Sequence, residues 1–386
     1  MTIGIPKEIL ERERRVSALP ENVATYVKMG FEVLVQSGAG RGAFRSDDEY
    51  RQAGATIVED VEELFSRSDV ILKVKQPCFN KQLGKHEAEM IPEGKTLITF
   101  IHPATPSNHD MVRKLRDRNI TALTMDSIPR TSRAQSMDCL TAMSTVSGYK
   151  AMLLAACHLP VFVPMMGTAV GVLKPAKVLA VGVGVVGLQV IATAKRLGAE
   201  ITAVDIRQDA RMGGQSLGAK VAGFEVPAEI ALGEGGYAKA LPEEWLEKER
   251  ELLAPLLTDA DVVVLSALVP GEAAPILVTE EMVNTMKPGS AIMDISIDQG
   301  GNCALTRMGE EFYHGEVLVS GLANIPGSVP VHSSLMYASS LAEYVRNLFK
   351  AGPDVMDLED EIVRYSMVTH AGKIVHAGAL KAMNLA

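Results

Sequence analysis

The segment Val178-Leu-Ala-Val-Gly182-Val-Gly184-Val-Val-Gly187, followed by an apolar run to Leu197 and then Gly198-Ala-Glu-Ile-Thr-Ala-Val-Asp205, decides the fold. It reads as strand, tight turn, helix and second strand, the order in which a dinucleotide is held. Gly182 lets the chain turn off a buried strand, Gly184 lets backbone approach a pyrophosphate, and Gly187 lets the helix pack closely on the sheet. The helix N-terminus then faces the phosphates. Lys195 and Arg196 suit the last helical turn and Gly198 the residue after it. Asp205, ending the second strand Ile201 to Val204, can accept hydrogen bonds from the ribose hydroxyls and would repel a 2′-phosphate, which favours NAD over NADP. Arg207, two residues on, argues the other way.

Composition bounds the rest. With 386 residues, 47% hydrophobic and 22% charged, the chain is long enough for two globular domains. Its net charge of −9 speaks against nucleic acid or an anionic membrane surface as partner. The four cysteines, Cys78, Cys139, Cys157 and Cys303, have no paired spacing and read as reduced packing residues. His332, His370 and His376 lack helical ligand spacing, so no metal site is expected. The N-terminus shows no secretory pattern, and the most apolar run, Val178 to Ala194, is punctuated by glycine. A cytoplasmic, soluble chain is expected.

Strand and helix patterns alternate along the first third. Ile3 to Pro6, Glu32 to Val35, Val70 to Val74, Thr96 to Phe100 and Thr121 to Met125 read as strands. Pro20 to Met29, Asp47 to Ala53, Val61 to Ser66 and Met111 to Arg118 read as helices. Val262 to Leu265, Ala291 to Ile295 and Val317 to Ser320 supply later strands. The expectation is an α/β protein with mostly parallel sheets in two Rossmann-like domains.

Three further segments stand out. Gly233-Glu-Gly-Gly-Tyr237-Ala-Lys239 sets glycines around one tyrosine and reads as a surface flap. Leu241 to Leu253, rich in glutamate and holding Trp245, reads as a solvated amphipathic helix. Pro129-Arg130-Thr-Ser-Arg133-Ala-Gln135-Ser-Met-Asp138, ahead of an apolar helix from Leu140 to Ala156, crowds forked donors, an amide and a carboxylate. That set can grip a carboxamide or a polar partner; as a plain loop, Asp138 would cap the helix.

These motifs resemble the family that joins alanine dehydrogenases to the NAD(H)-binding domain of proton-translocating nicotinamide nucleotide transhydrogenases. The similarity runs from Ile3-Gly-Ile-Pro-Lys-Glu to Asp360-Glu-Ile-Val, with the Arg130–Asp138 segment and the flap most like the transhydrogenase branch. There the resemblance implies that Arg130, Gln135 and Asp138 orient the nicotinamide, that Tyr237 closes over NAD(H), and that Thr141, Ser266 and Leu268 lie along the cofactor. Hydride would pass to NADP(H) on a partner domain, with membrane subunits coupling it to proton movement, so the chain would be a split α-type subunit, peripheral at the inner membrane through its partners. The first domain would combine 1–129 with 330–386, the NAD(H) domain would be 130–329, and the cofactor would occupy the cleft between them. A homo-oligomer is implied, dimeric in one branch and hexameric in the other.

Four positions resemble the alanine dehydrogenase site instead: Arg15 in Arg-Arg-Val-Ser, Lys75 in Leu-Lys-Val-Lys-Gln-Pro, His102 in Phe-Ile-His-Pro-Ala, and Asp298 in Asp-Ile-Ser-Ile-Asp-Gln-Gly-Gly. The Ala323–Pro330 stretch also reads closer to that branch. Reductive amination of a 2-oxo acid needs such groups. Arg15 can clamp a carboxylate bidentately, Lys75 can bind the carboxylate or reacting oxygen, His102 titrates in the useful range, and Asp298 can relay protons or pair with ammonium. Hydride exchange between two nicotinamides needs only orientation and exclusion of water. Three activities therefore follow from the sequence: a transhydrogenase α-type subunit, a free-standing dehydrogenase of alanine or a similar small amino acid, and a nucleotide-binding module without turnover.

Overall fold

The computed structural model describes residues 1–231, 239–269 and 273–385. Its contacts divide the chain into two compact units, 1–143 with 326–386, and 144–325. The stretch 130–143 thus packs with the discontinuous unit rather than opening the second. Arg133 reaches the carboxylate of Asp360 at 2.6 Å, and the Cys139 thiol lies 3.7 Å from the Tyr337 carbonyl.

In the first unit eight strands form the main sheet in the order Lys373–Ile374, Met367–His370, Thr121–Thr124, Thr96–Thr99, Val70–Leu72, Thr2–Ile5, Glu32–Gln36, Thr56–Val58, and a small antiparallel hairpin of Phe79–Asn80 and Lys85–His86 stands apart from it. Thr2–Ile5 pairs in parallel with both Glu32–Gln36 and Val70–Leu72. The chain therefore winds outward from the first strand in one direction and then returns to wind in the other, leaving a topological switch beside Thr2–Ile5. Helices cover the sheet because their apolar residues recur at helical spacing. Met111, Val112 and Leu115 on His109–Asp117 bury against Ile71, Leu97 and Ala122. Pro20 opens Pro20–Lys28 at a position where a missing N–H costs nothing, and Ser46 caps Asp47–Gln52 in a box with Glu49.

The second unit repeats the plan in the order Lys220–Ala222, Glu200–Val204, Lys177–Val181, Val262–Leu265, Ala291–Asp294, Val317–Ser320, Glu311–His314. All pairs are parallel except the last. Val178, Ala180, Val262 and Val264 face one apolar layer, while Leu179, Val181, Val263 and Leu265 face the other. A strand buried on both faces reads as a continuous hydrophobic run, as these do. Both units are α/β with mostly parallel sheets.

Two features escape the pattern. A hairpin of Met166–Thr168 and Gly171–Leu173 pairs only with itself among the described residues. The glutamate-rich helix is Glu243–Asp259, longer than expected, and it buries Glu249, Leu253 and Leu257 rather than standing in solvent. No described helix is long and apolar enough to cross a membrane.

The first unit also buries an ionic cluster. The Lys73 ammonium is wholly enclosed, 3.0 Å from Glu87 and 3.3 Å from Glu8. Burial works against its charge, but the two carboxylates outweigh burial and hold its pKa above the ordinary lysine value. Removing one partner of a buried ion pair leaves an uncompensated charge and costs about 3–5 kcal/mol. Lys73→Met is accordingly expected to lose about that much stability in urea unfolding, whereas the triple replacement Lys73→Met, Glu8→Gln, Glu87→Gln recovers part of it. A single variant as stable as the parent would refute this account of the cluster.

Candidate functional site

The second unit holds Gly182, Gly184, Gly187, Asp205, Ser266, Leu268 and Asp298. Strand Lys177–Val181 ends at Gly182, whose φ of 85° lies in the left-handed region that favours glycine. A Cβ there would stand 2.7 Å from the Ser266 carbonyl carbon, and one on Gly187 would stand 2.0 Å from the Gly182 carbonyl oxygen. A Cβ on Gly184 would meet nothing within 4 Å. Two glycines are thus required by the protein's own packing, and the third faces open space at the start of helix Val185–Arg196. The N–H groups of that first turn have no intrahelical acceptors. The turn, its outward backbone and the helix dipole fit a pyrophosphate.

Asp205 follows strand Glu200–Val204 and is buried, yet both its oxygens are engaged. Oδ2 accepts the Val183 N–H at 2.8 Å and the Arg207 guanidinium at 3.0 Å. Oδ1 accepts the Arg207 backbone N–H at 2.8 Å and Nε at 3.1 Å. A ribose diol would compete with the Arg207 side chain for this carboxylate. Arg207, which from the sequence argues for a 2′-phosphate, is here the partner of the acid that would repel one. Ser266 Oγ donates to the Gly182 carbonyl at 2.9 Å, and Leu268 is half-buried in the following loop.

That loop is held by a side chain the sequence does not single out. Asn302 is fully buried; its Oδ1 accepts the Ala267 N–H at 3.0 Å and its Nδ2 donates to the Ala267 carbonyl at 2.9 Å. Asp298 is exposed on the short helical turn Ile295–Gln299, which Asp294 caps. Tyr237 and nearly all of its flap lie outside the described residues.

Another unforeseen residue is Glu249, 5% exposed on helix Glu243–Asp259. Burial, reinforced by the charge of Asp205, pushes its carboxyl up to about 7. Its sequence signal is weak, one glutamate among many.

The first unit holds Arg15, Lys75, His102, Arg130, Gln135, Asp138 and Thr141. Lys75, His102 and Arg15 all follow the C-terminal ends of parallel strands, Val70–Leu72, Thr96–Thr99 and Thr2–Ile5 respectively, the edge where open α/β sheets bind ligands. Arg15 is buried, and Glu13 already accepts from its Nε at 2.8 Å and from its Nη2. The carboxylate clamp read from the sequence is therefore filled by the chain itself. Lys75 is half-buried, its backbone carbonyl accepting from Thr99.

His102 sits at φ 49°, a conformation uncommon outside glycine and often found at functional sites. Its Nδ1 lies 2.6 Å from Asp126 Oδ2 and its backbone N–H donates to the same oxygen at 2.7 Å. The ring stacks on Phe100, with centroids 5.7 Å apart. Burial opposes the charge of Asp126, but His102 and the hydrogen bonds converging on it hold its carboxyl below the usual range. The sequence reading passes over Asp126, although it follows a strand as Asp205 does.

Arg130 and Gln135 are exposed. Asp138 caps the helix Cys139–His158: Oδ1 accepts the Thr141 N–H at 2.8 Å and Oδ2 accepts the Thr141 hydroxyl at 2.6 Å. The structure thus brings Asp138 and Thr141 together and anchors Arg133 on Asp360. Among the described residues no group of His, Cys, Asp or Glu could hold a metal ion.

Comparison with known proteins covers nearly the whole chain. The family model described as alanine dehydrogenase/PNT, N-terminal domain, matches residues 4–147, and its C-terminal counterpart matches 151–377. The chain is 42% identical over 379 residues to the first part of NAD(P) transhydrogenase subunit alpha of Rhodospirillum rubrum, covering 97% of this chain and 98% of that protein. It is 31% identical to alanine dehydrogenase of Methanococcus maripaludis, covering 100% and 97%. The crystal structure of transhydrogenase from Sinorhizobium meliloti superimposes with a TM-score of 0.83 at 34% identity, covering 97% of this chain and 100% of that one.

Two outcomes test the second unit's geometry. Gly187→Ala forces a Cβ into backbone and is expected to lower the melting temperature by several degrees, while Gly184→Ala leaves it unchanged yet weakens NADH binding tenfold or more by fluorescence titration. Equal effects of the two changes on stability would contradict the assignment. Glu249 gives a pH dependence. An unfolded glutamate titrates near 4.5 and this one near 7, so between those values only the native state holds the proton. Stability is then lost as pH rises through that window, by an amount on the order of 3 kcal/mol. Glu249→Gln should raise the melting temperature at pH 8 and change it little at pH 5; a pH-independent effect would count against this environment.

Proposed function

The chain belongs to the alanine dehydrogenase/PNT family, and from that premise we propose that it is the NAD(H)-holding α-type subunit of an NAD(P) transhydrogenase. The observation that carries this is the glycine turn, closed by Gly187 against Gly182 and open at Gly184, in a chain whose R. rubrum relative it spans almost entirely. NAD(H), when bound, supplies or accepts the hydride; NADP(H) comes on a partner subunit. Gly182, Gly184 and Gly187 would hold the pyrophosphate, Asp205 the ribose, and Ser266 and Leu268 would line the loop beside it. Arg130, Gln135 and Asp138, with Thr141, are proposed to orient the nicotinamide, and Tyr237 to cover it. On this reading the NAD(H) domain is the unit described as 144–325, and the chain is peripheral to the membrane through its partners.

A homo-oligomer also belongs to this reading. The hairpin Met166–Thr168 and Gly171–Leu173 carries Val170 at 94% exposure, with Phe162, Met165 and Val172 also exposed. Apolar surface concentrated on so short a segment favours burial against another chain.

One observation favours a second reading, a free-standing dehydrogenase of alanine or a similar amino acid. His102 is held by Asp126 through ring and backbone, as a general acid–base would be, with Lys75 at the same sheet edge and Asp298 as a proton relay. The two readings separate in one assay. The isolated chain is expected to bind NADH but to oxidise it slowly or not at all with pyruvate and ammonia, and to support reduction of an NAD analogue by NADPH once an NADP-binding subunit is added. Robust turnover of pyruvate and ammonia, abolished by His102→Asn, would replace the first reading with the second.

A further inference from the structure

In the first unit, a groove of about 340 Å³ lies between the segment that follows strand Thr2–Ile5 and the glycine loop that follows strand Glu32–Gln36. Lys7, Arg14 and Arg41 stand at its rim, all exposed; Glu8, Glu13 and Arg15 form its floor. Elsewhere on this acidic surface an arginine ordinarily finds a carboxylate. Arg45 pairs with Glu21 and Glu49, Arg51 with Asp48, Arg67 with Glu63, Arg113 with Asp110.

At the groove the acids are turned inward instead. Glu13 is committed to the buried Arg15 and Glu8 to the buried Lys73. Among the described residues, none of Lys7, Arg14 and Arg41 forms an ion pair. Asp47, the first residue of helix Asp47–Gln52, is held by the Ser37 hydroxyl at 2.8 Å and the Gly38 N–H at 2.9 Å. Three cations converge on a cavity while its carboxylates are withdrawn.

The backbone around the groove is unusually constrained. Arg12 and Phe44 both adopt left-handed φ, 62° and 60°. A Cβ on Gly42 would stand 2.3 Å from the Arg14 carbonyl oxygen, so the loop can lie on the rim only as glycine. Phe44 is 73% exposed, and its ring lies 5.8 Å below the Arg14 guanidinium, which limits the directions that cation can point. Strained non-glycine residues persist where surrounding structure over-determines them, commonly at ligand sites.

We propose that this groove binds a small polyanion, a metabolite carrying two or more phosphate or carboxylate groups. Two guanidinium forks and one ammonium match paired oxyanions, and the volume lies at the small end of ligand pockets. The site sits on the first unit and uses none of the glycine turn that would take the dinucleotide.

Isothermal titration of the full chain, with and without saturating NADH, would test it using inorganic pyrophosphate in one arm and citrate in the other. Saturable one-to-one binding in either arm is expected, undiminished by NADH, and the tighter arm identifies phosphate or carboxylate as the recognised group. The combined change Lys7→Gln, Arg14→Gln, Arg41→Gln should weaken that binding tenfold or more while the NADH dissociation constant stays the same. Should that variant fold poorly, Arg41→Gln alone should weaken it about threefold. Absence of saturable binding, binding unaffected by these changes, or binding abolished by NADH would each overturn the proposal.

Discussion

The contact between the backbone of Gly182 and that of Gly187 organises the second unit. It exists because Gly187 has no Cβ, while the missing Cβ of Gly182 lets the turn lie against the Ser266–Ala267 backbone, and it places the first turn of Val185–Arg196 directly against the end of the central strand. Ser266 Oγ donates to the same Gly182 carbonyl, so the neighbouring parallel strand is tied to the turn. Asp205 accepts the N–H of Val183, which ties the strand on the other side. Three strand ends and a helix start are thereby joined through one peptide. The unsatisfied N–H groups of that helix are left facing the side where Gly184 is open.

The architecture was legible because its signals are local and repeated. Val178 to Asp205 spells strand, turn, helix and strand by periodicity and glycine placement, and each expected strand of both sheets is present. What was not legible depends on contacts between residues distant in sequence. Asn302 reaches Ala267 across 35 positions, and His102 meets Asp126 across 24. Lys73 carries no local sign of its burial, since the two carboxylates that enclose it come from other segments. Arg15 was legible as a residue of interest but not in its state, because Glu13, two residues away, turns inward with it. The pairing of Arg133 with Asp360 could not be foreseen from a loop whose charged residues all looked available.

Buried charges in the first unit follow one rule. Among the described residues each cation below the surface, Lys73 and Arg15, takes a glutamate from the segment after the first strand, Lys73 sharing Glu8 with the more distant Glu87, and that same segment carries the exposed Lys7 and Arg14. Isolated ions cannot be left in a low-dielectric interior. Using Glu8 and Glu13 inside therefore leaves the groove's own carboxylates paired with buried cations, and its basic rim is the consequence.

The same reasoning bears on the mixed set of Arg15, Lys75, His102 and Asp298. A guanidinium held by Glu13 through two nitrogens can receive a substrate carboxylate only by sharing its remaining donors or displacing a buried glutamate, which would then need a proton or another partner. His102 differs, since Asp126 accepts from both its ring and its backbone. The backbone bond alone can stabilise the left-handed turn at His102, so the fold does not require an imidazole there. The ring is thus separable from the scaffold that positions it. A site of this kind can keep its shape when its chemistry is no longer used. Residues suited to amino-acid chemistry can therefore coexist with a sequence more similar to a transhydrogenase subunit, at 42% identity, than to an alanine dehydrogenase, at 31%.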